Sequence, residues 1–266
     1  MLSTNLEPST TSAAQNQHLG GIKLLYTTHN DTSLDFFKQA GWAVRFYDEP
    51  VAPQPADLVY FRDPFNDPEY QPDPFHIDQL ISQHQNAQIV DHITSFQDIL
   101  NLEDKYLQSE TYQDFYPATW LPSQHEFVPG SNLAKPRISQ RAKNILFDLE
   151  GRALDDSWII QELLDIQEEL RVYVVCGDIL DQASIKSSKA SGKVKIIGDR
   201  PLTPGEIVFV HQVMEKCPLD VVGFDIAVLP GGQYKIIEAN RSPQFLRYTE
   251  RTGLNLAALI TKHHQR

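Results

Sequence analysis

Two apolar runs, Val222-Gly-Phe-Asp-Ile-Ala-Val-Leu229 and Tyr234-Lys-Ile-Ile-Glu238, decide the fold, and Pro230-Gly-Gly232 lies between them. A Gly-Gly pair between two apolar runs is typical of a β-hairpin. The second run continues as Ala239-Asn-Arg-Ser-Pro243, which is an unusually polar end for an apolar strand. The stretch therefore predicts two adjacent antiparallel strands with polar side chains gathered at one end.

Three of these polar side chains form a candidate metal site. Asp225 lies in the first strand, while Glu238 and Asn240 share one face of the second because side chains alternate along a strand. Two carboxylates and an amide oxygen are hard ligands that suit Mg²⁺, which takes its remaining oxygens from water and phosphate. The alternative is a hydrogen-bonded turn residue at Asp225 and a solvated strand end at Glu238. These residues alone leave both interpretations open.

The first part of the chain has a different pattern. Apolar runs at 22–26, 43–47, 58–61 and 88–91 predict strands, and the spacing of Leu34, Phe37 and Ala40 predicts a helix that Gly41 ends. Strands that alternate with helices favour a mainly parallel sheet. We therefore expect a small α/β domain over 20–95, preceded by a disordered, Ser/Thr/Asn/Gln-rich tail over 1–19.

From about residue 96 onward, the apolar runs are joined mostly by short turns. They predict a largely antiparallel sheet and a second domain over 96–266. The expected strands are 133–135, 145–147, 158–161, 170–175, 222–229 and 234–238. Ile207, Val210, Met214 and Cys217 form a stripe that is typical of the buried face of a helix.

Composition excludes several classes of protein. The net charge of −12 over 266 residues argues against a nucleic-acid partner, because phosphate backbones are bound by clustered Lys and Arg. No apolar run approaches the roughly 20 residues that a membrane span requires, and the N-terminus lacks the apolar core of a signal peptide. The two cysteines, Cys176 and Cys217, lie in apolar runs and are typical of buried thiols in a reducing cytoplasm.

The polar strand end resembles the metal-binding signature of the ATP-grasp superfamily, which includes glutathione synthetases and RimK-type glutamate ligases. Further stretches resemble landmarks of these enzymes in the same order along the chain, from about residue 21 to residue 261. They are Arg62-Asp63-Pro64, Glu103-Asp-Lys105, Tyr116-Pro117-Ala-Thr119, Ala134-Lys135-Pro136, Ile160-Gln-Glu162 and Glu169-Leu-Arg171-Val-Tyr-Val-Val175-Cys-Gly177. The Arg62 match is imperfect, because Arg62 and Asp63 are adjacent.

The resemblance implies an ATP-grasp fold, here α/β with a small parallel-sheet domain first, and two subdomains hinged near 161–170. It implies ATP and Mg²⁺ (or Mn²⁺) as cofactors and carboxylate–amine ligation through an acyl phosphate, with amino-acid or peptide substrates. For the nucleotide, the resemblance implies that Lys105 and Lys135 contact the phosphates, that Glu169 contacts the ribose, and that the adenine meets the backbone of Gln161, Glu162, Leu163 and Leu164. The implied metal ligands are Asp225, Glu238 and Asn240. The side chains implied to stabilise charge during the reaction are Arg171, Lys186 and Arg241.

Two departures keep other functions open. The family's glycine-rich loop is replaced by Arg137-Ile-Ser-Gln-Arg141-Ala-Lys143, and lysines such as Lys186 stand where arginines are usual. A catalytically silent nucleotide-binding module and a kinase that transfers phosphate without ligation are therefore the alternatives. Arg62 and Asp63 fit either a substrate contact or a surface turn. For the other residues the alternatives are structural: Lys105 could lie on a helix surface, Lys135 at a strand edge and Glu169 in a solvated loop. The sequence leaves the oligomeric state open, with a homodimer or a tetramer among the options.

Overall fold

The computed structural model describes residues 21–50, 54–138, 145–186 and 196–265, so the predicted tail lies outside the described residues. The first part of the chain forms the predicted parallel sheet, in the order β2-β1-β3-β4. The fourth strand is shorter than expected, because the backbone turns at Asp91 with φ of 62°. The strands are β1 (Lys23–Thr27), β2 (Ala43–Phe46), β3 (Leu58–Phe61) and β4 (Gln88–Ile89).

Helices cover both faces of the parallel sheet. Residues of α1, α6 and α7 pack on one face in a single buried cluster, and residues of α2 and α3 pack on the other. The C-terminal helices thus complete the core of the first sheet. The helices are α1 (Leu34–Gln39), α2 (Pro74–Gln83), α3 (Phe96–Glu103), α4 (Lys105–Thr111), α5 (Pro204–Met214), α6 (Leu246–Thr252) and α7 (Leu256–His264).

The second part of the chain forms the expected antiparallel strands in two sheets. Five strands of the larger sheet follow the order β11-β10-β8-β12-β13, and β9 pairs with β8. The smaller sheet has the order β5-β7-β6. The strands are β5 (Thr119–Trp120), β6 (Asn132–Pro136), β7 (Trp158–Glu162), β8 (Glu168–Val175), β9 (Asp178–Ile179), β10 (Gln182–Lys186), β11 (Ile196–Pro201), β12 (Val221–Leu229) and β13 (Gln233–Asn240).

The larger sheet separates apolar from polar side chains by face. Val172, Phe224 and Ala239 lie side by side on β8, β12 and β13 and are buried in one cluster with residues of α5. Arg171 and Asp225 are neighbours on the opposite face, as alternation along each strand requires. One face of the sheet therefore packs against α5, and the other carries these charged groups together with Tyr173 and Val175, which are buried in the cluster shared with the parallel sheet.

One sequence expectation needs correction, and one strand pairing has a feature that the sequence did not predict. The strand expected at 145–147 is a single bridge between Leu146 and Ala134. The pairing of β12 with β13 is also irregular: Ile226 faces Ile236 and Asp225 faces Glu238, which leaves Ile237 as the extra residue of a β-bulge. The helix expected from the 207–217 stripe is confirmed as α5, although it ends at Met214.

The predicted domain limits at residue 95 and the hinge near 161–170 stay predictions. A continuous buried cluster joins the parallel sheet to residues of β8, α6 and α7. None of the helices in the described ranges has the length and apolar character that crossing a bilayer needs. Cys176 and Cys217 are both free thiols.

Candidate active site

A cavity of about 240 Å³ lies between the smaller sheet and the polar face of the larger one. Its walls are mainly apolar, and six of the residues predicted to bind nucleotide or to stabilise charge line it. These six are Gln161, Glu162, Leu163, Leu164, Glu169 and Lys186. The remaining lining residues are Pro117, Leu133, Phe147, Ile166 and Ile237.

The segment after β7 forms one wall of the cavity and is held by backbone hydrogen bonds. The Glu162 N–H donates to the Ala118 carbonyl oxygen at 2.9 Å, and the Leu163 N–H donates to the Ser131 carbonyl oxygen at 2.9 Å. The Gln161 side chain is buried and donates to the Thr119 hydroxyl oxygen at 2.9 Å. These contacts hold this wall of the cavity in place. The Gln161 side-chain nitrogen takes part in them through its hydrogen bond to Thr119.

Four charged side chains on three neighbouring strands form an ionic network at one end of the cavity. Arg171 donates to both oxygens of Asp225, each at 2.7 Å, in the two-pronged geometry that favours guanidinium–carboxylate pairs. The Lys186 Nζ lies 2.7 Å from Asp225 Oδ2 and 2.5 Å from Glu169 Oε1. The strand register explains the network, because Arg171 faces Asp225 and Lys186 faces Glu169 across the ladder.

The network determines the charge state of Asp225. Burial by itself would raise the pKa of this carboxyl group, but the adjacent Arg171 and Lys186 lower it well below its usual range. The pKa of Arg171 is correspondingly raised, since Asp225 outweighs the effect of burial. Asp225 is therefore an anion with both oxygens already hydrogen-bonded.

Two further lysines approach the same place from the other side. The Lys105 Nζ lies 3.3 Å from Glu238 Oε1, and the Lys135 Nζ donates to the Ile237 carbonyl oxygen at 3.4 Å. Both lysines are buried. The bulge explains one contact, because the extra peptide at Ile237 is outside the regular ladder and its carbonyl accepts from Lys135 and also from the Tyr116 hydroxyl at 2.8 Å.

The helix that begins with Lys105 is braced by Arg137. Asp104 caps α4 by accepting from the Tyr106 N–H at 2.8 Å, and the Arg137 guanidinium binds the same carboxylate. Arg137 therefore positions the start of α4. The rest of the predicted basic loop, with Arg141 and Lys143, lies outside the described residues.

The three predicted metal ligands lie on paired strands, with Asp225 in the middle of β12 and Glu238 and Asn240 at the end of β13. Asp225 faces Glu238 in the ladder, and the Asn240 amide nitrogen donates to the Gly223 carbonyl oxygen at 3.2 Å, which leaves the amide oxygen as the atom for a metal. Gly223 is required by close packing, because a Cβ at this position would lie 2.7 Å from Pro243 Cβ. Within the described ranges, no group of three or more His, Cys, Asp or Glu side chains could hold a metal ion.

Acidic side chains beside the metal set have raised pKa values. Burial, together with the charges of Asp63 and Glu238, raises the pKa of Glu103 to about 8. Burial raises the pKa of Asp63 to about 6. Glu103 was not predicted as a site residue, and Asp63 was expected as either a substrate contact or part of a surface turn; both lie in the stretches that resembled the family landmarks.

Arg241 is placed apart from the other predicted catalytic residues. It is fully buried between the two parts of the chain, where its guanidinium donates to the Phe61 carbonyl oxygen and lies 3.8 Å from Asp91. Arg62 is likewise buried, pairs with Asp31 at 2.6 Å and donates to the Ser242 and Pro243 carbonyl oxygens at 3.2 and 3.1 Å. Both arginines join the parallel sheet to the segment after Asn240, and the surface-turn interpretation of Arg62 is wrong.

Sequence reasoning missed the apolar wall of the cavity. Phe147 and Ile166 are 51% and 37% exposed, which is unusual for large apolar side chains in an otherwise polar loop. Phe147 ends a predicted strand and Ile166 lies between two predicted strands, so only the apolar character of Ile166 in a connecting segment was a signal in the sequence.

Comparison with solved structures identifies the fold. No family model and no curated protein sequence matches the chain. The ATP-grasp ligase PsnB complexed with a minimal precursor, Mg and ADP matches with a TM-score of 0.63 and 15% identity, over 91% of this chain and 96% of that chain. The macrocyclase MdnB from Microcystis aeruginosa MRC matches with a TM-score of 0.62 and 16% identity, over 91% and 98%. The D-cycloserine synthetase DcsG matches with a TM-score of 0.64 and 14% identity, over 92% and 100%.

Proposed function

We propose that this chain, which has the ATP-grasp fold, is an ATP- and Mg²⁺-dependent enzyme that joins a carboxylate to an amine. The observation that carries the proposal is the continuity of an apolar cavity with an ionic network: Glu169 and Lys186 belong to both. An apolar cavity suits a nucleotide base, and clustered cations suit its phosphates. The lysine and arginine side chains at one end of the cavity thus set the orientation of the nucleotide.

The residues around the cavity have distinct roles in this proposal. Lys105 and Lys135 neutralise the phosphates, and the backbone of 161–164 contacts the adenine edge. Arg171 stabilises the charge that develops when a substrate carboxylate oxygen attacks the γ-phosphorus and the bond from that phosphorus to ADP breaks. Asp225, Glu238 and Asn240 would hold Mg²⁺ or Mn²⁺, which supplies charge neutralisation at the phosphate oxygens when bound.

The second half of the reaction needs no protein nucleophile. The amine nitrogen attacks the acyl carbon of the acyl phosphate, and the carbon–oxygen bond to phosphate breaks, which releases inorganic phosphate. PsnB and the Chryseobacterium gregarium ligase were solved with peptides, and DcsG is a D-cycloserine synthetase. We infer an amino-acid or peptide substrate from these neighbours alone. Arg241 gives this inference no support, because it is too deeply buried to reach a substrate carboxylate without rearrangement.

An assay of ADP and inorganic phosphate release across amino acids and short peptides tests the proposal. We expect both products together with a new amide. Glu238→Ala and Asn240→Ala should abolish turnover while leaving the thermal unfolding of the protein nearly unchanged, whereas Glu250→Ala on the exposed face of α6 should keep normal activity.

The same assay separates the two alternatives. A phosphorylated product without an amide would identify a kinase. Tight binding of Mg·ADP without product release would identify a silent nucleotide-binding module, which the structural use of Arg137 as a brace for α4 favours. Normal turnover in Glu238→Ala would show that the metal assignment is wrong.

A further inference from the structure

Both oxygens of Asp225 are occupied by cations of the protein itself. Oδ1 accepts from Arg171 Nε at 2.7 Å, and Oδ2 accepts from Arg171 Nη2 and Lys186 Nζ, each at 2.7 Å. The side chain is almost completely buried. A metal ion that approached Asp225 would therefore have to displace at least one cation.

The Lys186 ammonium group lies between two carboxylates, one of which, Asp225, belongs to the predicted metal set. This ammonium group lies 2.5 Å from Glu169 and 2.7 Å from Asp225. Glu238, the other carboxylate of the predicted metal set, has Lys105 at 3.3 Å. Protein cations therefore balance each of these carboxylates before any ligand binds.

The two cations at Asp225 differ in how easily they can leave. Arg171 makes two parallel hydrogen bonds from the neighbouring strand, and its planar guanidinium would lose both at once. Lys186 makes one contact to Asp225 through a flexible four-carbon stem, and it also lines the cavity. Phosphates in the cavity would therefore attract Lys186 first.

We propose that Lys186 is a built-in counter-cation that keeps the metal out of the site until a nucleotide draws its ammonium group away from Asp225. The inference rests on the proposed nucleotide binding, and it adds an order of binding. The nucleotide binds before the metal or together with it, and the metal does not bind alone. Movement of Lys186 toward the phosphates exposes Asp225 Oδ2 and at the same time gives the nucleotide a cationic partner.

Binding of Mn²⁺ to the full chain tests this order without any measurement of turnover. Free Mn²⁺ is quantified by electron paramagnetic resonance, with and without ADP, and a protein-free titration corrects for the Mn²⁺ that ADP binds by itself. We expect tight stoichiometric binding of Mn²⁺ only when ADP is present. Equal Mn²⁺ affinity with and without ADP would overturn the inference, whereas failure to bind ADP under any condition would instead overturn the proposed function.

A pair of lysine variants assigns the effect to one side chain. An opposite charge within about 4–6 Å changes the proton affinity of a carboxylate by about ten- to a thousandfold, and a divalent ion carries more charge than a proton. Lys186→Met should therefore raise the affinity for Mn²⁺ without ADP by at least about tenfold and should lower the affinity for ADP. Lys216→Met, which removes a more exposed lysine paired with Asp114 at 2.6 Å, should change neither.

Thermal unfolding shows whether the Lys186→Met protein is folded. If it is folded and its Mn²⁺ affinity without ADP equals that of the wild type, the role of Lys186 is refuted. If it does not fold, the wild-type comparison with and without ADP still decides the order of binding, and Lys186→Gln, which keeps a hydrogen-bond donor but no charge, replaces it.

Discussion

Replacement of Arg62 by methionine should destabilise the protein strongly although Arg62 lies outside the cavity. The guanidinium pairs with Asp31 at 2.6 Å, and the two side chains are 2% and 1% exposed. It also donates to the Ser242 and Pro243 carbonyl oxygens, directly after the predicted metal ligand Asn240. Methionine has a similar length, so the main change is the loss of charge and donors rather than of volume.

The magnitude follows from the burial of Asp31. Removing one partner of a buried ion pair costs about 3–5 kcal/mol, because the other charge stays buried without compensation. Asp31 keeps the Thr27 hydroxyl at 3.0 Å and the Ser33 N–H at 2.9 Å, which favours the lower end of this range. Since domains of this kind have a free energy of unfolding of about 5–15 kcal/mol, Arg62→Met should lose a large part of it.

Urea unfolding monitored by circular dichroism measures the free energy of unfolding. Arg45→Met is the matched control, because Arg45 is exposed and contacts only Gln54 and the backbone among the described residues; it should change the free energy of unfolding by less than about 0.5 kcal/mol. The double variant with Asp31→Asn should recover about 1 kcal/mol or more of the loss. A loss below about 1 kcal/mol in Arg62→Met, or strict additivity in the double variant, would refute the reasoning.

Three further outcomes are expected. Gly223→Ala should lower the free energy of unfolding by about 1–3 kcal/mol, since its Cβ would lie 2.7 Å from a proline ring, whereas Gly198→Ala, with its nearest contact at 4.0 Å, should not; urea unfolding of both decides. Burial raises the pKa of Glu103 to about 8 from an ordinary value of 4.5, so its contribution to stability is lost as the pH rises between these values. Glu103→Gln should reduce that loss by up to about 1.4 kcal/mol per pH unit, and equal pH slopes would contradict this. Phe147→Ala should weaken ADP binding about tenfold in calorimetry, and Phe75→Ala, remote from the cavity, should have no effect.

Strand and helix types were largely predictable because apolar periodicity records which face of an element is buried. The parallel and antiparallel sheets follow from that pattern, and so does the approach of Asp225 to Glu238. Strict alternation does not hold along the whole of β13, however. Ile236 points to the core, and strict alternation would send Glu238 there too, whereas the bulge at Ile237 turns it to the cleft.

The partners of the charged residues were not predictable from sequence. Lys186 meets Glu169 and Asp225 only because three strands that are distant in the chain lie side by side in a particular register. Arg241 follows a predicted metal ligand and suggested a substrate contact, yet the neighbouring parallel sheet buries it. Register and packing between sheets depend on many weak contacts, which no local pattern records.

The bulge at Ile237 also predicts how the site tolerates deletions. It places two consecutive side chains on the cleft face: Ile237, which lines the cavity, and Glu238, which faces Asp225. Deleting Ile237 would leave a regular ladder with Glu238 still opposite Asp225, at the loss of one apolar wall and of the carbonyl that Lys135 and Tyr116 contact. Deleting Ala239 instead would shift Asn240 to the core side. Of these two deletions, only the first should keep Asp225, Glu238 and Asn240 together on the cavity side of the sheet.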